Sequence, residues 1–241
     1  MPAERLLPSD DAQDLIDLTR EICQKDLAPQ VDDLERLGTF PEKTFRLLGQ
    51  AGLLSLPYPE EVGGGAQPYE VYLQVVEEIA SVWMSVAVGV SVHALTCYPV
   101  AAFGTDEQKE RLLPAMLGGD QLGAYCLSEA ASGSDVGSMT TRATRSGDGT
   151  AYGLKGTKAW ISHAGHADFY TTFARTSDDG GRGLSCFVVP AEAPGISFGQ
   201  VERKMGLHCD PVRQVTFEGV EVDADRRVGD EGQGMAIALS A

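Results

Sequence analysis

The stretch YCLSEAASGSD, residues 125–135, decides how the rest of this chain is interpreted. It closes an apolar run over residues 122–127 and then combines hydroxyl groups, small side chains and a glycine. A strand end of this composition can hold a large polar cofactor through backbone N–H groups and hydroxyls, without net charge. The stretch KGTKAWIS, residues 155–162, adds a tryptophan face to a similar mixture. Together the two stretches predict a cofactor site at the end of a strand.

Length and charge limit the class of protein. The chain has 241 residues, enough for one large domain or two modest ones with their own cores. It carries 35 acidic and 19 basic residues, for a formal charge of −16. Because a phosphate backbone is bound through Lys and Arg, this balance argues against a nucleic-acid partner. Residues 1–120 hold 20 acidic and 8 basic residues against 15 and 11 in residues 121–241, so the second half suits an anionic dinucleotide better.

The first half of the chain has helical spacing. Ser9 is placed as an N-cap, and Thr105 with Gln108 forms a capping box for a helix that runs to Leu117. No Asp, Glu, Lys or Arg occurs over residues 79–105, which is long enough to cross a bilayer. Because this segment breaks near Trp83 and contains several polar residues, we expect a buried helix of an all-α domain, residues 1–120, and no membrane span.

The second half changes to short β-branched and aromatic segments separated by Gly and Asp. Hairpin turns are predicted at residues 146–149 and 178–181. Close spacing of short strands indicates a small barrel or sandwich rather than βαβ units. The fold class is therefore α+β and multi-domain, with a middle β domain over residues 121–232 and the start of a further helix at 233–241. The predicted strands are 122–127, 139–145, 150–155, 158–162, 168–174, 184–190, 195–202 and 212–222.

Cysteine use and the N-terminus favour a cytoplasmic protein. The five cysteines are an odd number without a Cys-x-x-Cys pair, which indicates reduced thiols. Acids at Glu4, Asp10 and Asp11 and the lack of an apolar core argue against a signal peptide. His163 and His166 are spaced like metal ligands, but no third ligand follows at a suitable distance, so no metal site is predicted. Neither a Rossmann nor a P-loop motif occurs.

The two stretches and the order of segments around them resemble the acyl-CoA dehydrogenase family. That family's loop reads roughly Tyr-x-Leu/Val-Ser/Thr-Glu-Pro-x-x-Gly-Ser-Asp, and its strand reads Leu-x-Gly-x-Lys-x-Trp/Phe-Ile-Ser/Thr. The segments MGL at 205–207, VTFEGV at 215–220 and GDEGQG at 229–234 also match in order. Three places depart from the pattern, and one of them is the atypical segment Cys209-Asp210-Pro211-Val212. Ala130-Ala131 replaces the usual Pro after the Glu, which makes the loop less rigid, and His208 stands where an Arg is frequent.

The resemblance implies FAD as the cofactor and names the residues that hold it. Leu127 and Ser128 would contact the pyrimidine edge of the flavin, and Trp160 and Ser162 would lie against the ring, with the Ser162 hydroxyl near N5. Ser134 would lie near the pyrophosphate and also contact the acyl-CoA. The cofactor-binding residues expected in this way are Tyr125, Leu127, Ser128, Gly133, Ser134, Trp160, Ile161 and Ser162.

The resemblance also implies a reaction, the α,β-dehydrogenation of an acyl-CoA thioester to the trans-2-enoyl-CoA. A carboxylate removes the α-proton, and the electrons pass through the flavin to an electron-transferring flavoprotein. The family's base is a Glu of a C-terminal four-helix bundle that also builds a homotetramer. The sequence ends at Ala241, where that bundle would begin, so no catalytic residue is expected here and Glu129 is expected to be structural.

Three interpretations remain open from the sequence. The first is the N-terminal and middle part of an acyl-CoA dehydrogenase, a fragment without its bundle. The second is a non-catalytic subunit of a split enzyme whose helices lie on a partner chain. The third keeps the fold but changes the chemistry to that of an acyl-CoA oxidase. Acyl chain length and branching are not determined by these motifs.

Overall fold

The structure is a computed structural model that describes residues 7–241. The expectation that Glu4 argues against a signal peptide concerns a residue outside the described residues. The described chain begins with helices and continues with strands, so the predicted α+β class, an all-α part followed by a β part, is confirmed. The helices are α1 (Asp10–Ile22), α2 (Val31–Leu37), α3 (Glu42–Gln50), α4 (Tyr69–Val82), α5 (Met84–Phe103), α6 (Asp106–Leu117) and α7 (Gly234–Ser240).

Both predicted helix caps are present. The Ser9 hydroxyl accepts a hydrogen bond from the Ala12 N–H at 3.2 Å and begins α1. At α6 the Thr105 hydroxyl accepts from the Gln108 N–H, and the Gln108 side chain accepts from the Thr105 N–H. The orphan N–H groups at these helix starts are therefore satisfied locally, as the sequence predicts. A π-helical segment, Cys23–Leu27, continues α1 towards α2.

Helix α5 is the core of the helical domain. Its 20 residues are long and apolar enough to cross a membrane by length and composition. However, 56% of its most apolar window is buried inside the protein, where it packs against α4, α6 and β1. Trp83 separates α4 from α5 and has an extended backbone. This burial agrees with the expectation of a buried helix in an all-α domain.

The strands form one mixed sheet of eight in the described chain, in the order β6-β7-β3-β2-β4-β5-β8, with β1 pairing parallel to β4. The parallel pair brings the end of β1 to the middle of the sheet rather than to its edge. The strands are β1 (Gly123–Cys126), β2 (Arg142–Arg145), β3 (Ala151–Ser162), β4 (Phe169–Arg175), β5 (Leu184–Pro190), β6 (Ile196–Phe198), β7 (Val212–Asp223) and β8 (Arg227–Val228).

Several strand predictions differ from the structure. The segments expected at 150–155 and 158–162 form the single strand β3, because β3 pairs with β7 along most of its length and absorbs two register shifts, after Leu154 and after Lys158. Strand β6 is shorter than predicted, and the two-residue strand β8 was missed. A segment of two residues is too short to show a period, and only its pairing with β5 makes it a strand.

Gly123, the first residue of β1, lies between the two domains. Its N–H donates to His93 Nδ1 of α5 at 3.1 Å, and His163 Nδ1 lies 2.9 Å from its carbonyl oxygen. Because a carbonyl only accepts, His163 carries its hydrogen on Nδ1. His93 carries its own on Nε2, which donates to the Met116 carbonyl at 2.9 Å. Burial lowers the pKa of His93 to about 4 and also lowers the pKa of His163. Both rings are therefore neutral, and each holds Gly123 through one hydrogen bond.

This junction leaves no room for a side chain at position 123. A Cβ built on Gly123 would lie 2.4 Å from Thr96 Cγ2 and 2.6 Å from Phe169 Cζ. We predict that Gly123→Ala lowers the free energy of unfolding by about 1–3 kcal/mol through overpacking, measured by urea denaturation. Gly147→Ala is the matched control, since a Cβ there meets nothing within 4 Å. Equal stability of the two variants would show that the junction is not tightly packed.

Candidate functional site

The two stretches singled out from the sequence meet in space. Strand β1 carries the first stretch into the sheet, and β3 carries the second. The Ala159 N–H donates to the Ser128 carbonyl at 2.9 Å, which joins the end of β1 to β3. Residues 125–135 and 155–162 therefore form one surface.

A buried ion pair lies beneath this surface. Lys158 Nζ is 3.0 Å from Glu129 Oε1, and the two side chains are 0% and 6% exposed. Lys158 also donates to the Leu127 carbonyl at 3.0 Å and contacts Met139 Sδ at 3.6 Å. A buried charge is stable only when it is paired and its hydrogen bonds are satisfied. For Lys158 the loop that begins with residues 127–129 provides both.

Both carboxylate oxygens of Glu129 accept hydrogen bonds besides the one from Lys158. Its Oε1 also accepts from the Thr141 N–H at 2.9 Å, and its Oε2 accepts from the N–H and the hydroxyl of Thr140, both at 2.7 Å. Burial alone would raise the pKa of Glu129, but Lys158 and these donors hold it at about 2. Burial lowers the pKa of Lys158, and Glu129 opposes that shift. Glu129 is thus a structural residue, as the sequence predicts.

The loop beyond Glu129 closes into a tight turn. The backbones of Glu129 and Ser132 exchange two hydrogen bonds, of 2.9 and 3.0 Å. The buried Ser132 hydroxyl donates to the Asp135 carbonyl at 2.8 Å. These bonds hold the loop although Ala130 replaces the proline of the family pattern, so its order comes from hydrogen bonds rather than from a proline ring.

The residues expected to bind a cofactor divide into open and buried groups. Ser128 is half-buried, and Gly133 and Ser134 are exposed beside it on the loop. Ile161 is 2% exposed and belongs to the core of the sheet. Tyr125 turns its ring onto Phe173, with a centroid distance of 5.2 Å, and its buried hydroxyl has no hydrogen-bond partner among residues 7–241.

Trp160 is turned outwards by its backbone. It lies at the register shift between Lys158 and Ile161, with φ at 59°, and 57% of its surface is exposed. A left-handed conformation is costly for a large residue, and such positions cluster at functional sites. The bulge leaves Lys158 and Ile161 buried while the indole ring remains free to cover a ligand.

Ser162 has a partner that the sequence did not indicate. Its hydroxyl donates to Asp210 Oδ2 at 2.9 Å, and Lys204 Nζ lies 3.7 Å from the same oxygen. Asp210 is only 4% exposed. Because Ser162 has one hydrogen and Asp210 receives it, Ser162 offers only lone pairs to a ligand in this geometry.

The sequence also gave no indication of a role for Arg175 of β4. This buried guanidinium donates to the carbonyls of Gly137, Met139 and Gly180 at 2.6, 3.1 and 2.8 Å. It therefore ties the segment after the 125–135 loop to the β4–β5 connection. A lone arginine in a strand gives no sequence signal for this role, because the carbonyls it binds carry no side-chain signature.

The donor set fits FAD. The Ser128 N–H donates to no group within residues 7–241. By contrast, the Leu127 carbonyl before it and the Glu129 N–H after it are both hydrogen-bonded. An unpaired backbone donor at a half-buried strand end is a ready partner for a carbonyl oxygen of a ligand. Open space at Gly133, the exposed Ser134 hydroxyl and the Trp160 ring complete a surface for a long molecule with an aromatic ring.

The histidines do not form a metal site in the described chain. Among residues 7–241 no group of three His, Cys, Asp or Glu side chains is placed to hold a metal ion. His163 is used at the Gly123 junction, and the ring of His166 lies 4.6 Å from that of Phe40.

Comparison with known proteins agrees with this geometry. Residues 9–120 match the model "Acyl-CoA dehydrogenase, N-terminal domain", and residues 124–220 match "Acyl-CoA dehydrogenase, middle domain". The chain belongs to the acyl-CoA dehydrogenase family. An acyl-CoA dehydrogenase of Bacillus subtilis is 36% identical over 225 residues, which are 92% of this chain and 59% of the relative. This chain therefore spans about three-fifths of the length of that family member.

Solved structures of family-like chains superpose closely. A chain from the structure described as "Electron transferring flavoprotein of Acidaminococcus fermentans: Towards a mechanism of flavin-based electron bifurcation" matches with a TM-score of 0.92 and 33% identity, over 98% of this chain and 62% of that one. An acyl-CoA dehydrogenase of Bacillus anthracis complexed with FAD matches with a TM-score of 0.89 and 28% identity, over 97% of this chain and 40% of that one.

The low pKa of Glu129 predicts how stability depends on pH. A folded-state pKa of about 2, below the usual 4.5, gives stability that is present above pH 4.5 and is lost as the pH falls towards 2. We predict that Glu129→Gln costs about 3–5 kcal/mol at neutral pH, because it leaves Lys158 buried and unpaired. Its stability should then fall less between pH 4.5 and 2 than that of the wild type.

Urea unfolding at a series of pH values measures both effects. Glu192→Gln is the matched control, since Glu192 is exposed, and it should follow the wild-type curve. The double variant Glu129→Gln/Lys158→Met removes both charges and should be more stable than Glu129→Gln alone. An acid dependence of Glu129→Gln equal to that of the wild type would contradict the assignment.

Proposed function

We propose that this chain forms the N-terminal and middle part of an FAD-dependent acyl-CoA dehydrogenase, an oxidoreductase that converts an acyl-CoA thioester to the trans-2-enoyl-CoA. The observation that carries the proposal is the free Ser128 N–H, on a peptide held by the buried Lys158–Glu129 pair, together with the exposed Trp160 ring of the neighbouring strand β3. Family membership and the FAD complex of the B. anthracis relative support the same cofactor.

The chain's residues would divide the work of holding FAD. When bound, FAD would accept the β-hydride, which carries both electrons of the dehydrogenation. Ser128 donates its N–H and hydroxyl to the polar edge of the ring, with Leu127 beside it, and Trp160 covers one face. Gly133 and Ser134 receive the pyrophosphate, and Ser134 also contacts the acyl-CoA. Ser162, which gives its hydrogen to Asp210, offers an acceptor.

The catalytic base is proposed to come from outside residues 7–241. The buried carboxylates of the candidate site, Glu129 and Asp210, both accept hydrogen bonds inside the protein. Glu129 is paired with Lys158 and accepts three further hydrogen bonds. Asp210 is buried and accepts from Ser162. A general base must reach the substrate proton and be free to take it, and neither group meets both conditions.

An apolar groove in the helical domain is suited to the acyl part of the substrate. It has a volume of about 700 Å³ and lies between α4 and α5, close to the end of α7. It shares no lining residue with the cofactor set. Apolar and aromatic walls of this size can bury an alkyl chain. Its lining includes Tyr69, Tyr72, Leu73, Val76, Leu95 and Tyr98.

Partner, assembly and location complete the proposal. We propose an electron-transferring flavoprotein as acceptor, a proposal that the A. fermentans structure supports through its subject. A homotetramer and a role in fatty acid β-oxidation follow from the family resemblance. The five cysteines are all free and buried thiols, which supports a reducing compartment such as the cytoplasm.

Tryptophan fluorescence tests the proposed cofactor site. The chain has two tryptophans, Trp83 at 1% exposure and Trp160 at 57%. We predict that FAD quenches the emission of the wild type and of Trp83→Phe. In Trp160→Phe, the FAD-dependent quenching should fall at least severalfold, since the ring that faces the ligand is gone.

Equal quenching in Trp160→Phe and the wild type would place the flavin elsewhere, and no FAD binding to the wild type would contradict the proposed cofactor role. Reoxidation of bound reduced FAD should be slow in air. Rapid reoxidation by O2 would instead indicate an oxidase.

A further inference from the structure

The peptide that joins Leu127 to Ser128 is oriented by a buried charge. Lys158 Nζ donates to the Leu127 carbonyl at 3.0 Å from inside the protein. A peptide group is planar and trans, so its N–H points away from its C=O. The Ser128 N–H on this peptide must therefore point away from Lys158, and it donates to no group within residues 7–241.

We propose that Lys158 and Glu129 are positioning residues that aim the Ser128 N–H at the bound flavin. This inference rests on the proposed function, because it requires FAD at this surface. Neither side chain touches the cofactor in it. Lys158 acts through the Leu127 carbonyl, and Glu129 acts through Lys158.

The next peptide is fixed as well. The Ser128 carbonyl accepts from the Ala159 N–H at 2.9 Å, and the Glu129 N–H donates to the Ser132 carbonyl at 2.9 Å. Each of these groups is used inside the protein. The Ser128 N–H is the one donor of these two peptides without a partner within residues 7–241. It can therefore bind a ligand without breaking an internal hydrogen bond. Such a preorganised donor reduces the cost of binding.

A charged donor is suited to this role. Lys158 is 0% exposed, so no solvent competes for its ammonium group, and hydrogen bonds to charged groups are stronger than neutral ones. Glu129 fixes where the ammonium lies, since its own oxygens are held by Thr140 and Thr141. Without Lys158 the Leu127 carbonyl loses its partner, and rotation of the peptide towards another donor carries the Ser128 N–H away from the ligand.

FAD titration of charge-free variants tests this. Lys158→Met alone leaves Glu129 unpaired, so the informative protein is the double variant Lys158→Met/Glu129→Gln, which removes both charges. We expect its FAD dissociation constant to rise about tenfold or more, the scale of one well-placed hydrogen bond. Lys155→Met, on the exposed face of the same strand, is the control and should stay within about twofold of the wild type.

Urea unfolding on the same proteins separates positioning from simple stability. If the pair were only structural, FAD affinity would follow stability, and a double variant as stable as the wild type would bind FAD normally. That result would overturn the inference. Should the double variant prove less stable, titration at a temperature where it is fully folded gives the same decision. Failure of the wild type to bind FAD would instead contradict the proposed function.

Discussion

The buried pair of Lys158 and Glu129 is the interaction on which the rest of the site depends. Two charges removed from water are costly, and a pair of this kind is retained only where every hydrogen bond is made. Here the Lys158 ammonium donates to the Leu127 carbonyl, and the Glu129 carboxylate accepts from the backbone N–H groups of Thr140 and Thr141. Three segments that are remote in sequence, the end of β1, the start of β2 and the middle of β3, are thereby held at fixed distances. An apolar pair of the same volume would fill the space but could not orient a peptide.

Contacts with the helical domain fix the position of the strand and the loop that form this site. Gly123 is held by His93 of α5 on one side and His163 beyond β3 on the other, so the strand leading to the site starts from a point shared by both domains. The loop of residues 204–210 adds a second link. Glu35 of α2 accepts from the His208 N–H at 2.8 Å, and Asp210 of the same loop accepts from Ser162. The surface around Trp160 is therefore built jointly, although its recognisable motifs all belong to the β domain.

Local signals in the sequence were sufficient for the class of fold and for the starts of α1 and α6. Capping residues act within one turn of their own helix, so Ser9 and Thr105 could be identified without a structure. The family pattern likewise brought residues 125–135 and 155–162 together. The remaining features depend on contacts across space. Lys158 was part of a quoted motif without a role, because its partner lies in another segment. The outward turn of Trp160 depends on the register shift against β7. A role for Asp210 is visible only from its hydrogen bond with Ser162.

Amide hydrogen exchange at Ser128 tests most directly whether a rigid loop holds a free donor for the flavin. Without FAD, the Ser128 N–H should exchange quickly, while the hydrogen-bonded N–H groups of Glu129 and Ala159 on either side of the contact are protected. With saturating FAD, exchange at Ser128 should slow by at least tenfold and the other two should change little. A Ser128 N–H that is already protected without FAD, or that is unaffected by it, would contradict this role for the loop.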